Sequence, residues 1–166
     1  MKIFCLTTMI EIFFLLCTNG IQAQTTQTQL NQIELGKQFL GTWKAEVAKD
    51  TFNIWEQKLF GTGMEATIKI VTKGKRITQG KAIMGYDKKN DKLIEADLLE
   101  GSDIMVYAFW FTSKNTCIQI PYEYISNPEQ APSKTTFEFK SPDLFIETVT
   151  QNNKVVAVYK NNREKN

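Results

Sequence analysis

Carboxylates are the side chains of this 166-residue chain with the greatest capacity for chemistry, because the sequence contains no histidine. Without imidazole the chain has no Ser-His-Asp triad, no Cys-His pair and no histidine-bound zinc or haem. Acidic residues are concentrated in mid-sequence at Asp87, Asp91, Glu95, Asp97, Glu100 and Asp103. Calcium needs several oxygens at fixed spacing around a tight loop, and this spacing matches no such loop. We therefore expect these residues to be solvated on turns and strand edges, with no metal ion and no cofactor.

Acid–base catalysis by a carboxyl group is the enzymatic alternative that the sequence leaves open. Glu138 or Glu147 would support it if the carboxyl were buried with a raised pKa, whereas an entirely apolar cavity would argue against it. Cys117 lies in an alternating stretch with no histidine to activate it, so we expect a small buried hydrophobe there. The sequence also lacks a glycine-rich phosphate loop and a Gly-x-Ser-x-Gly elbow, and it assigns no catalytic residue.

Large apolar side chains with a few polar neighbours are the candidates to line a ligand pocket. Pockets at the mouth of a β-barrel are mainly apolar, with a small number of polar anchors. The candidate ligand-binding residues are Trp55, Gln57, Met84, Tyr107, Phe109, Phe137 and Phe139. Thr136 and Glu138 are further candidate anchors, although both have the alternative of facing solvent. The competing interpretation of the whole set is a fully packed core.

The charge balance argues against a polyanionic partner. The chain has 20 Lys and Arg against 18 Asp and Glu, a net charge of +2. Such a balance creates no strong field for nucleic acid or for an acidic membrane surface. We expect a small hydrophobic molecule as the partner, no nucleic acid, and a monomer or weak dimer.

The first segment, residues 1–23, has the pattern of a signal peptide. Lys2 supplies a short positive region, residues 3–17 are mostly apolar, and Ala23 ends a small-residue cleavage site. A transmembrane anchor is the competing interpretation, but the apolar stretch is shorter than the roughly 20 residues that a span needs. We therefore expect export, to the periplasm or beyond the cell, with no stable membrane span.

A lipoprotein signal at Cys17 is a second alternative to ordinary signal-peptide cleavage. Leu16, however, is bulkier than the small residue that lipoprotein cleavage prefers. Residues 24–31 are rich in Gln, Thr and Asn, which predicts a disordered leader. Residues 32–163 then form a single predicted domain, because no shift in composition marks a boundary within them.

Short segments with β-strand patterns dominate this domain. Apolar residues at helical spacing first predict one short helix that ends near Gly41, namely Leu30, Ile33, Leu35, Phe39 and Leu40. Period-2 alternation or β-branched enrichment then predicts strands over 42–49, 52–60, 64–73, 75–85, 91–99, 103–113, 115–121, 134–141, 143–151 and 153–160. Ten strands joined almost entirely by tight turns predict an all-β antiparallel meander. Closing it into a barrel removes the exposed edges.

The predicted strand 103–113 is apolar on both faces. One face carries Ile104, Val106, Ala108 and Trp110, and the other carries Met105, Tyr107, Phe109 and Phe111. A strand with one wet face should alternate polar and apolar residues. We expect either that a helix or loop covers one face or that the barrel interior is itself apolar. The pattern does not decide which face points inward.

The segment Phe39-Leu40-Gly41-Thr42-Trp43-Lys44 resembles the opening of the lipocalin and fatty-acid-binding protein superfamily, the calycins. In that superfamily the tryptophan plugs the closed end of the barrel and an arginine near the end of the last strand stacks over it. The resemblance therefore implies that Gly41, Trp43 and Arg163 close the barrel. Gly85-Tyr86-Asp87 is similar to a turn in bacterial exported lipocalin-like domains.

The chain also departs from the best-known members of that superfamily. Lipocalins proper have eight strands and usually a disulfide, and nitrobindin-type barrels bind haem through a histidine that this chain lacks. Only Lys49-Asp50-Thr51 separates the first two predicted strands, so no helical lid of the fatty-acid-binding type fits there. The resemblance implies an exported barrel that binds a small hydrophobic ligand in its interior. The alternatives are an isomerase- or hydrolase-like enzyme acting in the cavity and an envelope interaction module with a filled core.

Overall fold

The computed structural model describes residues 30–165. The predicted signal peptide and nearly all of the predicted leader lie outside the described residues. Helix α1 (Gln32–Gly36) begins the domain and continues into a 3-10 turn (Lys37–Phe39). The strands are β1 (Gly41–Ala48), β2 (Thr51–Phe60), β3 (Gly63–Thr72), β4 (Lys75–Asp87), β5 (Lys92–Leu99), β6 (Met105–Phe111), β7 (Thr116–Pro121), β8 (Ser133–Ser141), β9 (Leu144–Gln151) and β10 (Lys154–Arg163). Two more 3-10 turns, Tyr122–Tyr124 and Pro128–Gln130, lie in the β7–β8 connection.

Every strand pairs antiparallel with its neighbours in sequence, and β1 pairs with β10 to close the barrel. The predicted all-β meander of ten strands with a short N-terminal helix is therefore confirmed. The predicted strand ends agree with the observed ones to within three residues. The largest difference is at β10, which continues to Arg163 because this residue pairs with Trp43 across the closing seam.

Tight turns connect the strands because the sequence supplies residues that adopt positive φ. Lys73 and Gly74 have φ of 48° and 74° between β3 and β4, and Asn152 and Asn153 have φ of 48° and 62° between β9 and β10. Two consecutive left-handed residues give the type I′ turn, whose twist matches that of the flanking strands. These turns hold adjacent strands in register without a longer loop.

Helix α1 covers one end of the barrel, which we call the closed end. It contacts β5 and β6. The buried side chain of Gln32 pairs with the backbone of Phe111, donating from Nε2 to the carbonyl oxygen at 3.2 Å and accepting from the amide at 2.7 Å. The opposite end, which carries the connections 100–104 and 122–132, is here called the mouth.

Aromatic side chains fill the closed half of the barrel. Phe39 is 1% exposed and projects from the 3-10 turn into the centre. Ring centroids lie 5.1 to 6.3 Å from that of Phe39 for Phe109, Phe111, Phe137, Phe139 and Phe145. Most of these contacts are edge-to-face, a geometry worth about 0.5–1.5 kcal/mol per pair beyond the burial of area. The closed half is therefore a packed core.

Strand β6 resolves which of its two apolar faces points inward. Phe109 pairs with Leu93, so the inward set is Met105, Tyr107, Phe109 and Phe111. On the outward face Ala108 is fully buried, and the Lys92 ammonium lies 4.9 Å from the centre of the Trp110 ring. Ile104 and Val106 on the same side are 65% and 37% exposed. The 3-10 turn Tyr122–Tyr124 contacts β6. The outer face of β6 is nevertheless covered only in part.

Candidate functional site

The closed end is held by Arg163 and Trp43. The guanidinium carbon of Arg163 lies 4.2 Å from the centre of the Trp43 ring, and Trp43 Nε1 donates to the carbonyl oxygen of Phe39 at 2.8 Å. Gly41 has φ of 110°, and a Cβ at this position would collide with the Arg163 guanidinium. A residue with a side chain would therefore be strained here and would displace Arg163.

Arg163→Lys is expected to lower the free energy of unfolding by about 1–2 kcal/mol. The guanidinium donates to the carbonyl oxygens of Leu40, Gln38 at 3.2 Å and Pro142 at 2.9 Å. An ammonium group keeps the charge but cannot form this planar fork of donors. Urea unfolding followed by far-UV circular dichroism measures the change. Lys165→Met, which removes an exposed cation, is the control, and an equal effect of the two substitutions would contradict the assignment.

The predicted ligand-binding residues divide between the core and its boundary. Four of the seven lie in the packed closed half and are at most 6% exposed, namely Met84, Phe109, Phe137 and Phe139. Trp55 and Tyr107 pack against this core and are only partly buried. The Trp55 ring lies 6.4 Å from that of Phe137. Gln57 faces inward, is 5% exposed and lies beside Met64.

Two carboxyl groups face the interior from β5. Glu95 lies opposite Met84 and Tyr107 in the strand register, and Asp97 follows two residues nearer the mouth. Glu95 is 8% exposed, and its carboxyl is close enough to that of Asp97 for the two charges to interact. Two neighbouring carboxylates that are both ionised repel each other, and burial strengthens this repulsion.

Burial controls the titration of the Glu95–Asp97 pair. It raises the pKa of Glu95 well above its usual value, and the nearby charge and hydrogen bond of Asp97 raise that pKa further. Burial also raises the pKa of Asp97 to about 6, while the hydrogen bond from Glu95 acts in the opposite direction. Within residues 30–165, no lysine or arginine contributes to either shift. Both carboxyls are accordingly harder to ionise than exposed ones, and they titrate as an interacting pair.

Tyr107 and Cys117 face the same region of the interior. Burial raises the pKa of Tyr107, and the charges of Asp97, Glu95 and Glu123 raise it further, in that order. Burial also raises the pKa of the Cys117 thiol, with an added effect from the charge of Glu95. Both groups are neutral at physiological pH, so the carboxyl pair is surrounded by uncharged side chains on β6 and β7.

Strand β9 contributes a third inward carboxyl group. Glu147 lies opposite Phe137 and Tyr159 in the register, and its Oε2 accepts a hydrogen bond from Asn161 Nδ2 at 3.3 Å. Burial raises the pKa of Glu147, and the hydrogen bond from Asn161 lowers it in part. The interior is therefore not entirely apolar, and Glu147 contributes a half-buried carboxyl with a raised pKa to it.

Two buried side-chain oxygens of the described chain have no hydrogen-bond partner, Asn53 Oδ1 and Asp97 Oδ1. Both residues face inward according to the strand register. An unsatisfied buried acceptor costs about 1–3 kcal/mol, so such an atom marks a position where a donor from water or a ligand fits. Gln57 donates to the thioether of Met64 at 3.7 Å, which is a weak acceptor. The interior thus offers acceptors with unused capacity.

The predicted polar anchors Thr136 and Glu138 face away from the interior. They flank Phe137, which is fully buried, and side chains alternate between the two faces of a strand. Glu138 is exposed and forms an ion pair with Lys140. Of the three predicted anchors, only Gln57 points inward. Glu138 instead faces solvent, which was the alternative that the sequence left open.

The prediction that the acidic stretch is solvated is wrong for Glu95 and Asp97. The apolar side chains of β5 occupy both faces, so alternation alone did not distinguish the inner face from the outer one. Pairing of Glu95 with Met84, a core residue, places the carboxyls inside. In the sequence, Glu95 and Asp97 share a face of the strand with Leu93. The structure places Leu93 in the core, so this shared face is what pointed to the inward position of the two carboxyls.

These features define a closed ten-stranded antiparallel β-barrel with carboxyl groups on its inner face. No known family model matches the sequence, and comparison with curated proteins finds no significant match. No helix within residues 30–165 is long and apolar enough to cross a membrane. In the same part of the chain, no group of three or more acidic or cysteine side chains is arranged to hold a metal ion.

Proposed function

We propose that this protein is an exported, lipocalin-like barrel that binds a small, largely hydrophobic molecule in its interior. The observation that carries the proposal is the difference between the two halves of the barrel. The closed half is packed, whereas Trp55, Asp97, Tyr107 and Glu147 face inward and still remain partly exposed. Their partial exposure towards the mouth supports a space that a ligand could enter from that end.

The aromatic core supplies the floor of this space. Burying apolar ligand surface against it yields about 25 cal/mol per Å², and the inward polar groups set the orientation of the ligand. The lipocalin-like assignment rests on the short helix and on the contacts of Gly41, Trp43 and Arg163 at the closed end. Export rests on the pattern of residues 1–23.

Titration with the apolar fluorophore N-phenyl-1-naphthylamine tests the binding function. We expect the probe to quench tryptophan fluorescence in the wild-type protein, because Trp55 borders the proposed space. Trp55→Phe should remove most of this quenching, whereas Trp110→Phe, on the outer face, should retain it. Absence of quenching, together with no bound mass in native mass spectrometry after exposure to a lipid extract, would contradict the proposal. That result would favour an envelope interaction module with a filled core.

A second function, isomerase- or hydrolase-like chemistry on a molecule in the interior, is favoured by the half-buried, inward-facing Glu147. A carboxyl group whose pKa is raised by burial is better suited than an exposed one to donate a proton to a bound molecule. A lipid extract incubated with wild type or Glu147→Gln and analysed by liquid chromatography–mass spectrometry tests it. We expect a new species that forms only with the wild type, and identical profiles would contradict the enzymatic function.

A further inference from the structure

We propose that the interior selects organic cations, meaning a primary ammonium group on an apolar body, and that the Glu95–Asp97 pair binds the ammonium group. This inference rests on the proposed binding function and names the chemical class of its ligand. The argument uses three independent properties of the inner face: its charge, its unused hydrogen-bond acceptors and its partly exposed aromatic rings.

The charge of the inner face favours a cation. Glu95, Asp97 and Glu147 all face inward, and the ion pairs within residues 30–165 join other carboxylates. A buried carboxylate without a cationic partner is costly, which is why burial raises the pKa of both carboxyls on β5. A bound ammonium group would offset this cost, since it supplies both a positive charge and hydrogen bonds. An anionic ligand would meet repulsion from the same groups.

The unused hydrogen-bonding capacity requires a donor. Asn53 Oδ1 and Asp97 Oδ1 are buried oxygens without a partner, and both atoms act as acceptors. Gln57 on β2 is 95% buried and contributes a further amide to the inner face. An ammonium group carries three donors and no acceptor, so it matches these atoms better than a carbonyl or carboxylate does.

The aromatic side chains beside the pair suit the apolar body of such a ligand. Trp55 and Tyr107 are partly exposed at the boundary of the core, and Tyr107 lies opposite Glu95 in the register. Cations are attracted to the faces of aromatic rings, most strongly to indole. A flat aromatic body with a short aminomethyl arm can therefore contact the rings while its ammonium group reaches the carboxyls.

Binding of a cation should favour the ionised form of the pair and release protons that are still bound to it, because the positive charge stabilises the carboxylates. The groups that face the pair are Tyr107 on β6, Cys117 on β7 and Glu123 beside Tyr107, while Met84 on β4 is uncharged. Tyr107 and Cys117 stay neutral in the relevant range. The affinity for an amine should consequently rise with pH, and it should level off only where both carboxyls are already ionised in the free protein.

Calorimetric titration with three naphthalene compounds of similar shape tests the inference. The compounds are 2-naphthylmethylamine, 2-naphthalenemethanol and 2-naphthoate, which are cationic, neutral and anionic at pH 7.5. We expect the amine to bind at least roughly tenfold more tightly than the alcohol, and the carboxylate to bind most weakly. Asp97→Asn and Glu95→Gln should each bring the ratio of amine to alcohol affinity close to one, and far-UV circular dichroism checks that each variant is folded. Glu138→Gln, on the outer face, is the matched control and should change nothing.

Each other outcome overturns a defined part of the argument. Equal affinity for amine and alcohol, or a preference for the carboxylate, overturns the cation assignment but leaves the binding function in place. A preference for the amine that survives both Asp97→Asn and Glu95→Gln overturns the role of the pair. Failure of all three compounds and of N-phenyl-1-naphthylamine to bind overturns the inference together with the proposed function.

Discussion

Phe39→Ala is expected to lower the free energy of unfolding by about 3–5 kcal/mol. Phe39 is 1% exposed and its ring lies at the centre of five other phenylalanine rings. Its removal leaves a cavity that the barrel wall cannot collapse to fill, because each strand is hydrogen-bonded on both sides. Urea unfolding followed by far-UV circular dichroism measures the loss.

Phe60→Ala provides the matched comparison for Phe39. Phe60 is 59% exposed at the end of β2, so the same change in side chain should alter the free energy of unfolding by at most about 0.5 kcal/mol. If Phe39→Ala lowers the free energy of unfolding by less than about 1 kcal/mol, the 3-10 turn does not close the core in the way that the packing indicates.

Asp97→Asn is expected to stabilise the folded protein at pH 8 by about 2 kcal/mol more than it does at pH 4. Burial raises the pKa of Asp97 from 3.8 to about 6 in the folded state, so the folded chain holds a proton that the unfolded chain releases. The stability due to this group is therefore fully present below pH 3.8 and is lost as the pH rises through about 6. Two pKa units correspond to about 3 kcal/mol, which partial solvent exposure reduces to about 2.

Unfolding in urea at intervals from pH 4 to pH 8 measures this difference. The asparagine side chain is nearly isosteric with aspartate and has no proton to lose, so its curve of stability against pH should be flatter over this range. Glu138→Gln removes an exposed carboxylate and should run parallel to the wild type. Parallel curves for Asp97→Asn and the wild type would show that Asp97 titrates normally in the folded state.

The strands and their order were predictable from the sequence because both depend on local properties. Alternation marks each strand, and turn residues such as Gly74 and Asn152 mark the hairpins between them. The pairing of Arg163 with Trp43 that closes the barrel was expected only through the resemblance to calycins. A resemblance to a family can indicate contacts between residues that are far apart in sequence. The alternation of apolar and polar residues cannot, because it reports only on neighbouring positions.

The candidate site was less predictable than the fold. Tyr107, Gln57 and Trp55 were selected from residue type, and they do border the interior. Glu95 and Asp97 were assigned to solvent because carboxylates are seldom buried and apolar residues occupy both faces of β5. A shift of one residue in the pairing with β4 would turn both carboxyls outward, so their burial depends on register.

The sequence by itself determined that this protein is a ten-stranded antiparallel barrel with a helix at one end, because patterns of period two and turn residues act over short distances. Only the tertiary structure decided which face of each strand became the inside. That choice packed the phenylalanines around Phe39 at the closed end and brought Glu95, Asp97 and Glu147 to the inner face. The absence of histidine first directed attention to carboxylates, and barrel closure is what turns three of them inward, where burial raises their pKa.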